Sequence, residues 1–224
     1  MKITKYPQSC VLIETNGKKI LIDPGNLSEG IVEPTEFKDI DMMLITHKHS
    51  DHCFPEYIKI VKENNPNMVI LANLEVSSIL SEGEIDSETV KIGDVKELGN
   101  IKIEIVRADH GVCPSTMKPG SLPKENNGFV IDDGKLRLYH CGDTIAFLNE
   151  TKTDIILVPI SGHGVVMEPL VAVEFCQRMN PKLVIPIHYD SDKHPKGAEK
   201  FEEEIKKTNL KYKILKNKES IEVE

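Results

Sequence analysis

The chain has 224 residues, enough for one sizeable domain with a buried apolar core, and its formal net charge is −8. That charge argues against generic binding to a nucleic-acid backbone, which requires a clustered basic face. No stretch approaches the roughly twenty apolar residues of a membrane span, and the first residues do not resemble a targeting segment. The five cysteines are scattered and never form a CxxC pair, so we expect a cytoplasmic protein without disulfides.

The first half of the chain predicts strands followed by strand–helix units. The runs CVLIET and KKILID flank Asn16-Gly17 and indicate a β-hairpin. The apolar run DMMLITH predicts a buried strand, and Pro55 begins a predicted helix over PEYIKIVKENN, with Ile58 and Val61 on one face. A strand over MVILAN and a short helix around LEVSSIL follow.

The second half repeats this order. Strands are predicted over KIGDVKEL, IKIEIVRA, GFVIDD, KLRLYH, DIILVPI and KLVIPIHY, with helices over EPLVAVEFCQRMN and PKGAEKFEEEIKKTN. In the last helix Phe201 and Ile205 should face inward. We therefore predict an α/β (α+β) fold in which outer helices cover two packed sheets, a four-layer αββα sandwich with pseudo-symmetric halves in one domain over residues 1–224. The irregular segment 109–127 is expected to be a functional loop.

The densest group of chemically active residues is the run THKHSDH, which lies between a predicted strand and a predicted helix. It places His47, His49, Asp51 and His52 within six residues, a density that few structural roles require. On an extended loop His47 and His49 point the same way and can share one ion, while Asp51 and His52 can reach a second. The run therefore indicates two metal ions.

Further ligands are expected where other strands end. His110 follows the strand IKIEIVRA, Asp143 lies in CGDT after KLRLYH, and His188 lies in PIHYD at the end of KLVIPI. Together with the histidine-rich run they supply enough donors for two divalent ions. The mixture of nitrogen and oxygen ligands suits zinc first, with manganese, iron or nickel as alternatives.

The motifs THKHSDH, ADHG, CGDT and PIHYD, in this order, resemble the metallo-β-lactamase superfamily. The segments SCVLIETNGKKILIDPG and VPISGH are similar to its L-ascorbate 6-phosphate lactonase-like branch of Zn-dependent hydrolases. The resemblance implies the metallo-β-lactamase-like αββα fold and a binuclear metal site. It also implies one ligand assignment: His47, His49 and His110 on the first metal, Asp51, His52 and His188 on the second, and Asp143 bridging both.

A pair of such ions can share a hydroxide at neutral pH, so a nucleophilic serine or cysteine is unnecessary, and the sequence has no GxSxG elbow. We expect hydrolysis of a small ester, lactone or phosphoester metabolite. Asp51 is a candidate to hold the attacking hydroxide in addition to its role as a ligand. His163, in SGHG, is a candidate to orient the substrate or protonate the leaving group.

Other polar residues have two interpretations each or lie outside the predicted site. Asp23 either accepts a hydrogen bond from a ligand histidine or forms a turn. Lys118 and Lys124, on the irregular loop, either meet an anionic substrate group or are solvated. His140 is expected to pack on its strand, and His194 is expected to be solvated.

Three alternative functions stay open at this point. The first is a phosphodiesterase acting on a nucleotide or lipid headgroup, the second an iron-dependent oxidoreductase on the same fold, and the third a non-catalytic metal-binding module. The partner expected in every case is a small molecule that can be anionic, not a nucleic acid or a membrane. The oligomeric state stays open, and a homo-oligomer is compatible with the sequence.

Overall fold

The computed structural model describes residues 1–113, 118, 120–190 and 198–224. These residues form two β-sheets, four α-helices and two short 3₁₀ turns at Asn26–Ser28 and Pro34–Glu36. The first sheet contains β1 (Lys2–Lys5), β2 (Val11–Thr15), β3 (Lys18–Ile22), β4 (Met42–Ile45), β5 (Val69–Ala72), β6 (Glu88–Thr89) and β13 (Ser220–Glu222). The second contains β7 (Val95–Leu98), β8 (Ile101–Arg107), β9 (Asn127–Asp132), β10 (Arg137–His140), β11 (Ile155–Pro159) and β12 (Leu183–Ile187). The helices are α1 (Pro55–Asn64), α2 (Leu74–Glu82), α3 (Pro169–Met179) and α4 (Ala198–Ile205).

Each sheet changes from antiparallel to parallel pairing part-way across. The first sheet has the order β13-β1-β2-β3-β4-β5-β6, antiparallel from β13 to β3 and parallel from β3 to β6. The second has the order β12-β11-β10-β9-β8-β7, parallel among β10, β11 and β12 and antiparallel elsewhere. Parallel strands end at a common sheet edge, so each half brings the loops after its parallel strands together.

Three buried apolar clusters define the four layers. Alternate strand residues such as Leu44 and Ile131 meet between the two sheets. The opposite face of the first sheet, including Met43, packs against α1 and α2. The outer face of the second sheet packs against α3 and α4, where Phe201 and Ile205 are fully buried as predicted. The αββα sandwich is confirmed.

The predicted helices and buried strands are present, with corrections at the sheet edges. The expected strand KIGDVKEL begins only at Val95, because Gly93 adopts φ +96° in a turn that Asp94 closes by donating its N–H to the Lys91 carbonyl. Strands β1, β6 and β13 were not predicted. The first residues expected in the last helix lie outside the described residues. The one-domain organisation stays a prediction.

In the described part of the chain, no helix is both long enough and apolar enough to cross a membrane.

Candidate metal centre

The structure brings all seven predicted ligand side chains together at strand ends between the two halves. Four come from the loop after β4, and one each follows β8, β10 and β12. They form two groups, and within each group the donor atoms lie within 4.8 Å of one another. The first ligand group is His47, His49, His110 and Asp143. The second ligand group is Asp51, His52 and His188.

In the first ligand group the ring nitrogens approach at ligand-like distances. His49 Nδ1 lies 3.2 Å from His110 Nε2, and His110 Nε2 lies 3.8 Å from Asp143 Oδ2. Two nitrogens bound tetrahedrally to one zinc ion, each at about 2.0–2.1 Å, would be separated by roughly 3.4 Å. The rings of His47 and His49 are close as well, with centroids 4.7 Å apart. The spacing is therefore suitable for one ion.

In the second ligand group the donors meet Asp143 as well as one another. His188 Nε2 is 3.2 Å from Asp51 Oδ2 and 3.3 Å from Asp143 Oδ2. His52 Nε2 is 3.1 Å from Asp143 Oδ1 and 3.7 Å from Asp51 Oδ2. The Asp143 carboxylate therefore lies between the two groups, the position that a bridging ligand requires.

In each of the five predicted ligand histidines, the ring nitrogen that faces away from the other ligands has a hydrogen-bond partner. Carbonyl and carboxylate oxygens can only accept, so three of these nitrogens carry the proton. Thr46 Oγ1 can donate to Asp23 and so accept from His47. The Ser161 hydroxyl oxygen can accept from His188 Nδ1. The five pairs are His47 Nδ1–Thr46 Oγ1 (3.0 Å), His49 Nε2–Ser121 O (3.0 Å), His52 Nδ1–Asp23 Oδ2 (2.8 Å), His110 Nδ1–Gly111 O (2.6 Å) and His188 Nδ1–Ser161 Oγ (2.8 Å).

Once a ring has lost any proton on its inner nitrogen, its outer partner leaves that inner nitrogen as a lone-pair donor that faces the ligand groups. Among the described residues, the buried His47 Nε2 has no hydrogen-bond partner, and the buried His52 Nε2 and Asp143 Oδ1 lie 3.1 Å apart without forming an aligned hydrogen bond. Buried polar atoms without partners are rare and costly, unless a bound ion or water satisfies them. The donor set and these unsatisfied atoms therefore fit divalent metal ions.

Asp23 has the supporting role that the sequence left as one of two interpretations. It follows β3 with φ +49°, is fully buried, and accepts hydrogen bonds from Thr46 N, Thr46 Oγ1 and His52 Nδ1, each at 2.8 Å. Thr46, Ser121 and Ser161 were not identified from the sequence. Thr46 is the first residue of the run THKHSDH, and Ser161 lies in VPISGH, but no local pattern indicates that Thr46, Ser161 or Ser121 contacts a ligand histidine.

Electrostatics differ between the two ligand groups. Burial lowers the pKa of His47 and of His110, and neighbouring histidines add to this effect. The imidazoles of His47 and His110 are consequently neutral at neutral pH. A neutral imidazole can accept a metal ion without first losing a proton.

The second ligand group has the opposite tendency. Burial opposes the charged forms, but the carboxylates of Asp143 and Asp51 outweigh it and raise the pKa of His52 well above its usual value and that of His188 to about 10. Burial likewise opposes ionisation of the two carboxyls, yet His52 and His188 hold the pKa of Asp51 and Asp143 below the usual range. In the metal-free protein this group is a cluster of ion pairs.

A cavity of about 330 Å³ opens onto the centre and is lined by residues of both ligand groups. The predicted catalytic residues Asp51 and His163 both line it, and His163 is exposed there with φ +60°. Lys118 also lines this cavity, whereas Lys124 does not. The remaining lining residues are His49, Ser121, Asp143, Ser161, Gly162, Val165 and His188.

Of the two remaining histidines, the structure describes only His140, which is not part of the centre. His140 is fully buried and packs on its strand as expected, with Nε2 donating to Ser9 O at 2.9 Å and Nδ1 accepting from Gly142 N at 3.2 Å. His194 lies outside the described residues.

The histidine-rich loop is packed directly on the segment after β3. A Cβ atom placed on Gly25 would lie 1.9 Å from the backbone C and O atoms of Asp51. Asn26 N donates to Ser50 O at 2.7 Å, which ties the same two segments together. Only glycine allows this close approach, which positions Asp51 and His52 next to the other ligands.

Comparisons with known proteins show the family to which this chain belongs. The family model of the β-lactamase superfamily domain matches residues 2–188. A UPF0173 metal-dependent hydrolase from Archaeoglobus fulgidus is 32% identical over 238 residues, covering 99% of each chain. Another, from Staphylococcus carnosus, is 33% identical over 208 residues, covering 85% of this chain and 86% of the relative. The solved structure of a metallo hydrolase from Ignicoccus hospitalis matches with a TM-score of 0.80 at 23% identity, covering 100% of this chain and 99% of that one.

The chain therefore belongs to the metallo-β-lactamase superfamily, as the motif resemblance indicated. Within that superfamily it groups with the UPF0173 metal-dependent hydrolases and is itself a metal-dependent hydrolase.

Proposed function

We propose that the seven side chains hold two divalent metal ions and that the enzyme hydrolyses a small ester, lactone or phosphoester metabolite. The orientation of the five imidazoles is the observation that supports this most directly. Each ring has its outer nitrogen engaged and its inner nitrogen directed at the other ligands. Nitrogen and carboxylate ligands together favour zinc, with manganese, iron or nickel as alternatives.

When bound, two such ions lower the pKa of water towards neutrality and polarise the oxygen of the bond under attack. The protein's own residues orient the attacking oxygen and protonate the leaving group. Asp51 lines the cavity as an ionised carboxylate and can accept a hydrogen bond that aims the attacking oxygen. His163, exposed at the rim of the same cavity, is placed to donate a proton to the leaving group.

The dimensions and charge of the cavity support a small anionic substrate. Its volume of about 330 Å³ is at the lower end of the range for small-molecule sites. Lys118 adds a cationic side chain to a lining that two metal ions would make more positive. The similarity to the L-ascorbate 6-phosphate lactonase-like branch favours a lactone that carries an anionic group. Nucleic acids and membranes are not proposed as partners.

We assign the activity to the cytoplasm, where the five cysteines would stay reduced. Four of the five, Cys10, Cys53, Cys141 and Cys176, are buried thiols.

The test combines elemental analysis with activity measurements on lactone, phosphodiester and thioester substrates. We expect two metal equivalents per chain, loss of turnover on chelation, and recovery with zinc or manganese. Asp51→Asn should abolish turnover, whereas Asp154→Asn, at a carboxylate that accepts from Arg137 N at 2.9 Å outside the centre, should not. Full activity of the Asp51 variant would contradict the proposal.

The same experiment separates the alternatives. Turnover confined to nucleotide or headgroup phosphodiesters would identify a phosphodiesterase. Iron in the purified protein together with oxygen consumption would identify an oxidoreductase. Bound metal without turnover on any substrate would identify a metal-binding module.

A further inference from the structure

A completely buried lysine lies outside the metal centre, at the end of strand β1. Lys5 has a side chain with 0% exposure, and its Nζ lies 2.7 Å from Asp190 Oδ2. The same ammonium donates to Tyr6 O at 2.9 Å and to Asn217 Oδ1 at 3.4 Å. It also lies 4.7 Å from the centre of the Tyr189 ring. Burying a charge is costly, so this arrangement requires its partners to be fixed.

The pair connects strands of different sheets. Lys5 ends β1 of the first sheet, and Asp190 follows β12 at the edge of the second, 185 residues later in the chain. Neither β1 nor β12 needs the pair for its own strand hydrogen bonds, because each is paired along its length within its sheet. The ion pair therefore fixes the relative position of two segments that the sheets alone do not connect.

A chain of hydrogen bonds connects the ion pair to the backbone of His188 through Gln8. Asp190 Oδ1 accepts from Gln8 N at 2.7 Å, and Gln8 O accepts from His188 N at 3.0 Å. Gln8 and His188 adopt φ +57° and φ +56°, a left-handed conformation that costs free energy for residues other than glycine. Asp190 holds the backbone of Gln8, and Gln8 holds the backbone of His188, so the ion pair stabilises through Gln8 the conformation that directs the His188 ring inward.

Loss of the ion pair should affect only the second ligand group. His188 Nε2 reaches Asp51 and Asp143 at 3.2 and 3.3 Å, so a small rotation of its backbone would remove a donor from the second ligand group. The imidazoles of the first ligand group have their outer hydrogen bonds to Thr46, Ser121 and Gly111, away from this pair.

We propose that Lys5 and Asp190 are positioning residues for His188, and that they determine the metal affinity of the second ligand group without changing that of the first. This inference rests on the proposed function, because it requires that the two groups bind metal.

The test is a zinc titration against a chromophoric chelator, which resolves two affinities on folded protein without any substrate. The double variant Lys5→Met/Asp190→Ala removes both charges, so it leaves no unpaired buried ion and should fold. The matched control is Lys18→Met/Asp41→Ala. In that pair Lys18 Nζ lies 2.6 Å from Asp41 Oδ1, and the Asp41 carboxylate also accepts from Lys19 N at 2.9 Å. The pair lies at the starts of β3 and β4, whereas the metal centre lies at the ends of these strands.

We expect one of the two zinc affinities of the Lys5/Asp190 double variant to fall by about tenfold or more, with the other within about twofold of wild type. The control should keep both affinities. Asp190→Asn alone, which retains an acceptor for Gln8 N, should give a smaller change in the same direction. Two unchanged affinities in the double variant would overturn the inference while leaving the proposed function intact. Wild-type protein that binds fewer than two zinc equivalents would overturn both.

Discussion

Replacing Asp23 with asparagine would convert one oxygen of a fully buried carboxylate into an NH₂ group. The carboxylate accepts three hydrogen bonds of 2.8 Å, from Thr46 N, Thr46 Oγ1 and His52 Nδ1. An amide has only one acceptor oxygen, so its NH₂ group must face a donor. If it faces His52, that ring can relieve the conflict only by moving its proton to Nε2, the nitrogen that faces Asp143 and Asp51.

The free-energy cost of Asp23→Asn follows from these hydrogen bonds. Loss of one hydrogen bond to a charged, buried acceptor is worth about 1.5–3 kcal/mol. Removing the outer partner of a ligand histidine typically weakens metal binding about 10- to 100-fold, which corresponds to roughly 1.4–2.8 kcal/mol. We therefore expect the zinc affinity of the second ligand group to fall by that factor. The backbone adds little, because asparagine tolerates the φ of +49° at this position.

The assay is the same chelator competition, with elemental analysis of the purified variant. The matched control is Asp133→Asn, at a second buried carboxylate that accepts from Thr15 Oγ1 at 2.5 Å and from Lys135 N and Leu136 N at 2.9 and 2.8 Å. It should lower the melting temperature and leave zinc binding unchanged. If Asp23→Asn binds two zinc ions with wild-type affinities, the assignment of Asp23 as the partner that sets the His52 tautomer is wrong.

Three further predictions concern the same centre. The pKa values of His52 and His188 are raised, the latter to about 10, so a metal ion that enters the second ligand group must displace protons. The metal affinity of this group should therefore rise with pH between about pH 6 and 9. Metal titrations that show no such rise would contradict this prediction. Gly25→Ala would place a Cβ atom 1.9 Å from the backbone of the histidine-rich loop, so it should lower the free energy of unfolding by about 3 kcal/mol or more in a denaturant titration. The control Gly83→Ala, whose Cβ atom would have its nearest neighbour at 3.4 Å, should not. His163→Asn, which tolerates φ +60°, should reduce kcat by about 10²- to 10⁴-fold with unchanged metal content; an unchanged kcat would exclude His163 as the proton donor.

Local sequence was sufficient for much of this architecture. Long apolar runs such as DMMLITH and amphipathic segments such as PEYIKIVKENN became β4 and α1 because their periodicity requires a buried face in any context. Strands β6 and β13 were missed because they have two and three residues, with polar or exposed side chains. Their pairing depends on a neighbouring strand that local sequence does not specify.

The sequence by itself determined the donor types of the centre, since the run THKHSDH and the residues after three later strands bring histidine and aspartate to strand ends. Tertiary structure alone decided which ring nitrogen of each histidine is available, because the outer partners, such as Ser161 for His188 and Ser121 for His49, belong to distant loops. It also decided that Lys5 and Asp190 form an ion pair across 185 residues. Hydrogen bonds and buried charges depend on distance and angle in space, and these become defined only when the two sheets pack.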